Sequence, residues 1–174
     1  MKRFGKLFAI LLLLFVVCDK TQAQSYARYR GIPIKGKVES FCGKLEKLGL
    51  QEFNDDSAKE ILDSDYVYVG EYLERLMFHA VKCDKVGDVE MLVLYYFCDD
   101  PSLAQSEYKI ITGIFDLKYG EPDSGYDNSI DSGIAIWVFD NGAVGIRCTE
   151  NSVIIAFTSS KFGKQKIYSL SKQL

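Results

Sequence analysis

The chain has 174 residues, with 21 Lys and Arg against 24 Asp and Glu, for a net charge of −3. A net acidic chain lacks the broad basic footprint that nucleic-acid or anionic-membrane binding needs. With five cysteines, one histidine and no Cys-x-x-Cys spacing, the common zinc frameworks are excluded as well.

Residues 1–23 have the three parts of a secretory signal. Lys2, Arg3 and Lys6 give a positive start, 8–17 is an unbroken apolar run of ten, and a short polar stretch follows. Ten apolar residues are too few for a spanning helix, which needs roughly 20. Ala23 and Thr21 are the small residues a signal peptidase prefers, so cleavage is expected after Ala23, leaving Gln24 first. Cys18 offers a rival, a lipoprotein cut just before an acylated cysteine, although Val17 is larger than that cut normally wants. The expected location is therefore periplasmic or secreted, with an outer-envelope lipoprotein as the alternative.

Cleavage after Ala23 removes four basic residues and one acidic one. The mature chain then carries 17 against 23, a net of −6. Its four cysteines, Cys42, Cys83, Cys98 and Cys148, allow two disulfides in an oxidising compartment, in any of three pairings. Free buried thiols are an equal expectation, because 151 residues bury a sufficient core without staples.

The segment 24–36, with Gly31, Pro33 and Gly36, reads as an extended leader. Over 37–48, Val38, Phe41, Leu45 and Leu48 recur at helical spacing and Gly49 supplies a stop. The polar residues of 54–65 predict a loop with at most one helical turn. Three strands are expected next, 66–73, 75–83 and 89–98, the last two joined through Lys85-Val86-Gly87-Asp88. Asp99-Asp100-Pro101 marks a helix start. Leu103, Tyr108, Ile111, Phe115 and Tyr119 carry that helix to a stop at Gly120 and Pro122. After a polar loop, 123–132, strands are expected at 134–139, 143–149 and 153–159, with Asn141-Gly142 as the first hairpin turn. Residues 161–174 form a basic tail.

The pattern is a single α+β domain over 37–160, in the order α-βββ-α-βββ, with two amphipathic helices on antiparallel sheet. The helix ends at 44–50 and 115–122 are alike, which raises an internal duplication with halves 37–98 and 99–160.

The residues Gly31-Ile32-Pro33-Ile34-Lys35-Gly36, Phe41, Leu45, Leu48-Gly49, Gly70-Glu71-Tyr72, Leu117-Lys118-Tyr119-Gly120-Glu121-Pro122 and Trp137 carry a likeness. So do the apolar hairpin 76–98 and the closing strands. Through them the chain resembles small, exported, uncharacterised proteins of Bacteroidetes-type bacteria. The resemblance implies an α+β fold and export, and brings no catalytic residue with it. The helix-plus-sheet repeat is also similar to the tandem architecture of the β-lactamase inhibitor proteins, a likeness of fold alone.

Chemistry finds few footholds. Histidine-assisted nucleophilic catalysis would have to use His79, which sits in the hydrophobic stretch 76–81. Cys83, four residues on, is roughly 13 Å away along a strand. Asp123, Asp127, Asp131 and Asn128 are hard donors suited to calcium, but the EF-hand pattern is absent and a solvated loop is expected. The pairs Asp63/Asp65 and Glu71/Glu74 show no sign of the cleft that sugar hydrolysis needs. No glycine-rich phosphate loop occurs, and no cofactor is expected.

The positive signal is Tyr66, Tyr68 and Tyr72, which alternate with Val67, Val69 and Leu73. Period two puts the tyrosines on one sheet face. With the aliphatics turned to a helix-covered core, the tyrosines would form an open binding face, extended by Tyr95 or Tyr96. The sequence thus points to an exported, non-enzymatic binding or interaction module whose ligand is a protein or another envelope molecule. The alternatives are a structural lipoprotein held by Cys18 and, more weakly, a hydrolase using carboxylates of 55–65 and 123–131.

Overall fold

The computed structural model describes residues 27–123 and 134–159. It is an α+β fold built on one large antiparallel sheet. In chain order, β1 (Arg28–Tyr29) and β2 (Ile32–Pro33) form a small hairpin, followed by α1 (Val38–Lys47), β3 (Gln51–Glu52) and α2 (Asp56–Ile61). Then come β4 (Tyr66–Tyr72), β5 (Arg75–Cys83), β6 (Val89–Phe97), α3 (Pro101–Tyr119), β7 (Ile134–Phe139), β8 (Gly142–Cys148) and β9 (Ser152–Ser159). The main sheet has seven strands in the order β3-β4-β5-β6-β9-β8-β7, each antiparallel to its neighbour.

Three details differ from the sequence reading. The polar segment 54–65 contains a helix, α2, making three helices among the described residues; Asp55 starts it by accepting the Ala58 amide at 2.8 Å. The leader is a hairpin rather than a single extended run, and its Tyr29 is fully buried. The β7–β8 loop is Asp140 and Asn141, with Gly142 already paired to Phe139, so the turn sits one residue earlier than expected. The expectations for 1–23 with Cys18, for Asp127, Asn128 and Asp131, and for the tail 161–174 lie outside the described residues.

Both long helices cover the same sheet face. Phe41 and Leu45 of α1 and Ile111 and Phe115 of α3 pack into one core with Leu92, Leu94, Ile155, Phe157 and Trp137. The helices are held at their ends. Asp100 caps α3 by accepting the Leu103 amide at 2.8 Å, with Pro101 at the first helical position. Trp137 Nε1 donates to the Gly120 carbonyl at 2.8 Å, which ties the helix stop to β7. Lys37, just before α1, donates to the Val86 carbonyl and pairs with Asp88 at 2.9 Å, fixing α1 to the β5–β6 hairpin.

The free edge at β7 is blunted by one residue. Asp123 donates its amide to the Ile136 carbonyl at 2.8 Å, and its carboxylate accepts the Val138 amide at 2.6 Å. An unpaired edge otherwise invites another strand. This gives Asp123 a structural use at the sheet edge, where a solvated loop was expected.

Candidate functional site

Register decides which side chains share a face. Tyr68 pairs with His79, and His79 with Leu94, while Tyr66 pairs with Val81 and Val81 with Leu92. These partners all lie in the core under α1 and α3 or beside it. The tyrosine stripe is therefore on the helix-covered face, the reverse of the expected arrangement. Tyr68 is only 3% exposed, and its hydroxyl donates to Glu46 of α1 at 3.3 Å. Tyr72 packs on Tyr29 with ring centroids 5.0 Å apart, and Tyr66 lies partly buried against the same core. Burial raises the pKa of all three hydroxyls.

The physical reason is that a tyrosine can bury its ring wherever its hydroxyl finds a partner, and α1 supplies Glu46. Gly70 completes the fit. A Cβ added there would stand 2.9 Å from Leu50 Cγ, so the missing side chain admits Leu50 to the sheet.

His79 belongs to this core too and is fully buried. Its Nδ1 faces the Met77 carbonyl at 3.1 Å and its Nε2 the Tyr29 hydroxyl at 2.8 Å. A carbonyl only accepts, so the proton is assigned to Nδ1 and Tyr29 donates to Nε2. Burial drives the His79 pKa down to about 4, and the charge of Arg30 adds to the shift. Burial likewise raises Tyr29 to about 12. The pair is a neutral structural link between the leader hairpin and β5, closed to substrate.

The remaining candidates disperse. Cys42, Cys83, Cys98 and Cys148 are free thiols, and burial raises the pKa of each, which suppresses the reactive thiolate. Asp63 pairs with Lys82 at 2.8 Å. Glu74 lies in the β4–β5 turn with Leu73, both left-handed at φ 63° and 51°, so it does not continue the strand of Glu71. Among the described residues no three acidic, histidine or cysteine side chains converge as a metal site. A cleft of about 560 Å³ opens where Arg30, Leu48, Leu50, Tyr72 and Leu73 meet, and Glu71 and Glu74 both line it, so the structure gives this carboxylate pair a cleft that the sequence did not announce.

The other sheet face presents a different surface. Val67, Ala80 and Leu62 form a small cluster under α2. Beyond α2, whose own Ile61 is 76% exposed, the apolar residues continue into water, with Leu76 65% and Phe97 53% exposed. Their rings are ordered against one another. Phe53 and Phe78 meet edge-on at 5.3 Å, Phe78 and Phe97 at 5.9 Å, and Tyr95 stacks on Phe97 at 6.3 Å with ring planes 12° apart. A groove of about 160 Å³ runs between α2 and these rings, bounded by Phe53, Ala58, Ile61, Leu62, Phe78 and Phe97. Reading 66–73 alone could not find this patch. The signal lay in β5 and β6, whose continuous apolar runs leave neither face polar.

No helix among the described residues is long and apolar enough to cross a membrane. Neither a family model, nor a curated protein, nor a solved structure matches this chain.

Proposed function

We propose that this protein is an exported, non-enzymatic binding module that works through the aromatic patch of Leu76, Phe78, Tyr95 and Phe97, on the sheet face away from α1 and α3. The exposure of Phe97 within an ordered ring cluster carries this reading. Soluble monomers rarely leave contiguous apolar patches in water, and aromatic anchors concentrate binding energy. Tyr66, Tyr68 and Tyr72 serve the fold by seating α1, and the working surface passes to the opposite face. Export, with cleavage after Ala23, rests on the signal pattern of 1–23 and on the resemblance to small exported proteins of Bacteroidetes-type bacteria. The meeting of β4–β6 with β7–β9 at the β6–β9 pair, each set preceded by a helix on the same face, supports reading 37–98 and 99–160 as a duplication.

Two measurements test the proposal. Envelope and culture proteins are passed over the immobilised protein and over its Phe78→Ser/Phe97→Ser variant. Capture by the first and loss by the second, at unchanged melting temperature, is the expected outcome; equal capture by both rejects the patch as the working surface. Mass spectrometry of the protein from its own cells is expected to show Gln24 as the first residue. An acyl mass on Cys18 would instead establish the envelope-attached lipoprotein, and an intact 1–23 would remove export.

A further inference from the structure

We infer that the cleft between the β1–β2, α1–β3 and β4–β5 turns is a second binding site, apart from the aromatic patch, and that it takes a short zwitterionic peptide. The peptide's ammonium meets Glu71 and Glu74, and its carboxylate meets Arg30.

Three turns make the walls, and each is pinned. Arg30 and Gly31 form the tip of the β1–β2 hairpin, where Arg28 Nη1 donates to the Gly31 carbonyl at 3.0 Å. Leu48, Gly49 and Leu50 lead from α1 into β3, with the Gly49 amide donating to the Glu46 carbonyl at 2.9 Å and the Leu50 amide to the Leu45 carbonyl at 3.2 Å. Leu73 and Glu74 form the β4–β5 turn, where Arg75 donates to the Leu73 carbonyl. Tyr72 makes the floor, packed on Tyr29. At about 560 Å³ the space is within the range of clefts that hold small ligands. Walls set in advance lower the ordering cost of binding.

Strain gathers at the same place. Of the four left-handed residues other than glycine among those described, three line this cleft: Arg30, Leu73 and Glu74, at φ 46°, 51° and 63°. Two-residue hairpin turns favour Asn-Gly. A Leu-Glu turn holds a less favourable backbone and puts an apolar side chain and a carboxylate at the rim.

Charge selects the kind of ligand. Arg30, Glu71 and Glu74 are exposed and make no ion pair among the described residues. Arg75, next to Glu74, is already engaged by Glu107 and the Leu73 carbonyl. Burial raises the hydroxyl pKa values of Tyr29 and Tyr72, and the charge of Arg30 partly offsets both rises, so the guanidinium stands beside the floor. Two carboxylates and a guanidinium kept apart around one cleft suit a molecule that carries both signs. Leu48, Leu50 and Leu73 give its body an apolar lining.

The backbone favours a peptide. Hydrogen bonds alternate sides along an antiparallel strand. Tyr72 pairs with Arg75 across the two-residue turn and, like Gly70, directs its backbone groups to β5. Glu71 directs its groups to the other side, as does Val67, whose carbonyl accepts the Phe53 amide at 2.8 Å. There β3 pairs with Tyr68 and Val69 and stops. The amide and carbonyl of Glu71 thus open into the cleft beside Gly49, ready to pair with a peptide unit.

The test is calorimetric titration of the protein with the dipeptide Leu-Leu, N-acetyl-Leu-Leu and Leu-Leu amide. Leu-Leu is expected to bind at millimolar concentration or below, and each cap should weaken it by about tenfold or more. Glu71→Gln/Glu74→Gln should bind Leu-Leu about tenfold more weakly and no longer distinguish the acetylated form, while still rejecting the amide. Arg30→Gln should do the converse. The capped forms read the same charges on the wild type, so the test survives a variant that unfolds. Phe78→Ser/Phe97→Ser should bind Leu-Leu as the wild type does. The inference is overturned by the absence of heat from millimolar Leu-Leu, by capped forms that bind as tightly as Leu-Leu, or by natively folded cleft variants that bind like the wild type. Loss of binding in the Phe78→Ser/Phe97→Ser variant would move the dipeptide to the aromatic patch and overturn it as well.

Discussion

The two faces of the sheet use the same kinds of residue for opposite ends. Under α1 and α3, aromatic side chains are enclosed, and three of them have their polar atoms matched: Tyr68 to Glu46, Tyr29 to His79, Trp137 to the Gly120 carbonyl. On the far face, Phe78, Tyr95 and Phe97 pack on one another at the margin of the protein, and among the described residues the short α2 shields their neighbours. A tyrosine in a strand is thus no sign of an open surface. Which face a helix covers is decided by what the helix offers the hydroxyl and by where the backbone admits it.

Four substitutions or conditions would sharpen this contrast or break it. The largest effect is expected at the centre of the covered face. Phe157→Ala removes a fully buried ring and should lower the unfolding free energy by about 3–5 kcal/mol in a urea titration. A loss under about 1 kcal/mol would mean that the helices do not seal this face.

Acid should act next, through His79. Its folded pKa, about 4, lies below the unfolded value of 6.5. Between these values the unfolded chain holds a proton that the folded chain refuses. The stabilising difference is complete above pH 6.5 and is lost as the pH falls towards 4, to a total of about 3 kcal/mol. Unfolding measured at several pH values should show this slope in the wild type and a shallower one in His79→Gln. Equal slopes would place His79 in contact with water.

Capping of α3 comes third. Asp100→Ala should cost about 1 kcal/mol by denaturant melting, because the Leu103 amide loses its acceptor at the helix start. The smallest effect belongs to the far face, where Leu76→Ser should change stability by less than about 0.5 kcal/mol. A core-sized loss at Leu76 would erase the distinction between the faces.

Much of this architecture was legible in the residues. The spacing of Val38, Phe41 and Leu45 and of Ile111 and Phe115 gave both long helices their buried stripes, and Pro101 and Gly120 marked the ends of α3. Short polar stretches were harder. Helix α2 hides in 54–65 because six residues with no buried side chain leave no periodic stripe; only the Asp55 cap announces it. The facing of β4 was inverted because alternation states which residues go together and not which set goes inside. Val67 and Tyr68 are both buried, each under a different helix, so burial could not be read from polarity. The far-face patch sits on the β5–β6 hairpin, but its place in the whole sheet depends on the β6–β9 pairing, which joins Tyr95 to Ile154, more than 50 residues further along. No local pattern carries that information.

The most direct test compares one residue from each face in a single experiment, the unfolding free energies of Tyr68→Ala and Phe97→Ser. The expected result is a loss of about 3 kcal/mol or more for Tyr68→Ala, whose ring leaves a cavity under α1, and less than about 1 kcal/mol for Phe97→Ser. The reverse order, a tolerated Tyr68→Ala and a destabilising Phe97→Ser, would return the tyrosines to the surface and enclose the aromatic patch, contradicting both the fold reading and the proposed working face.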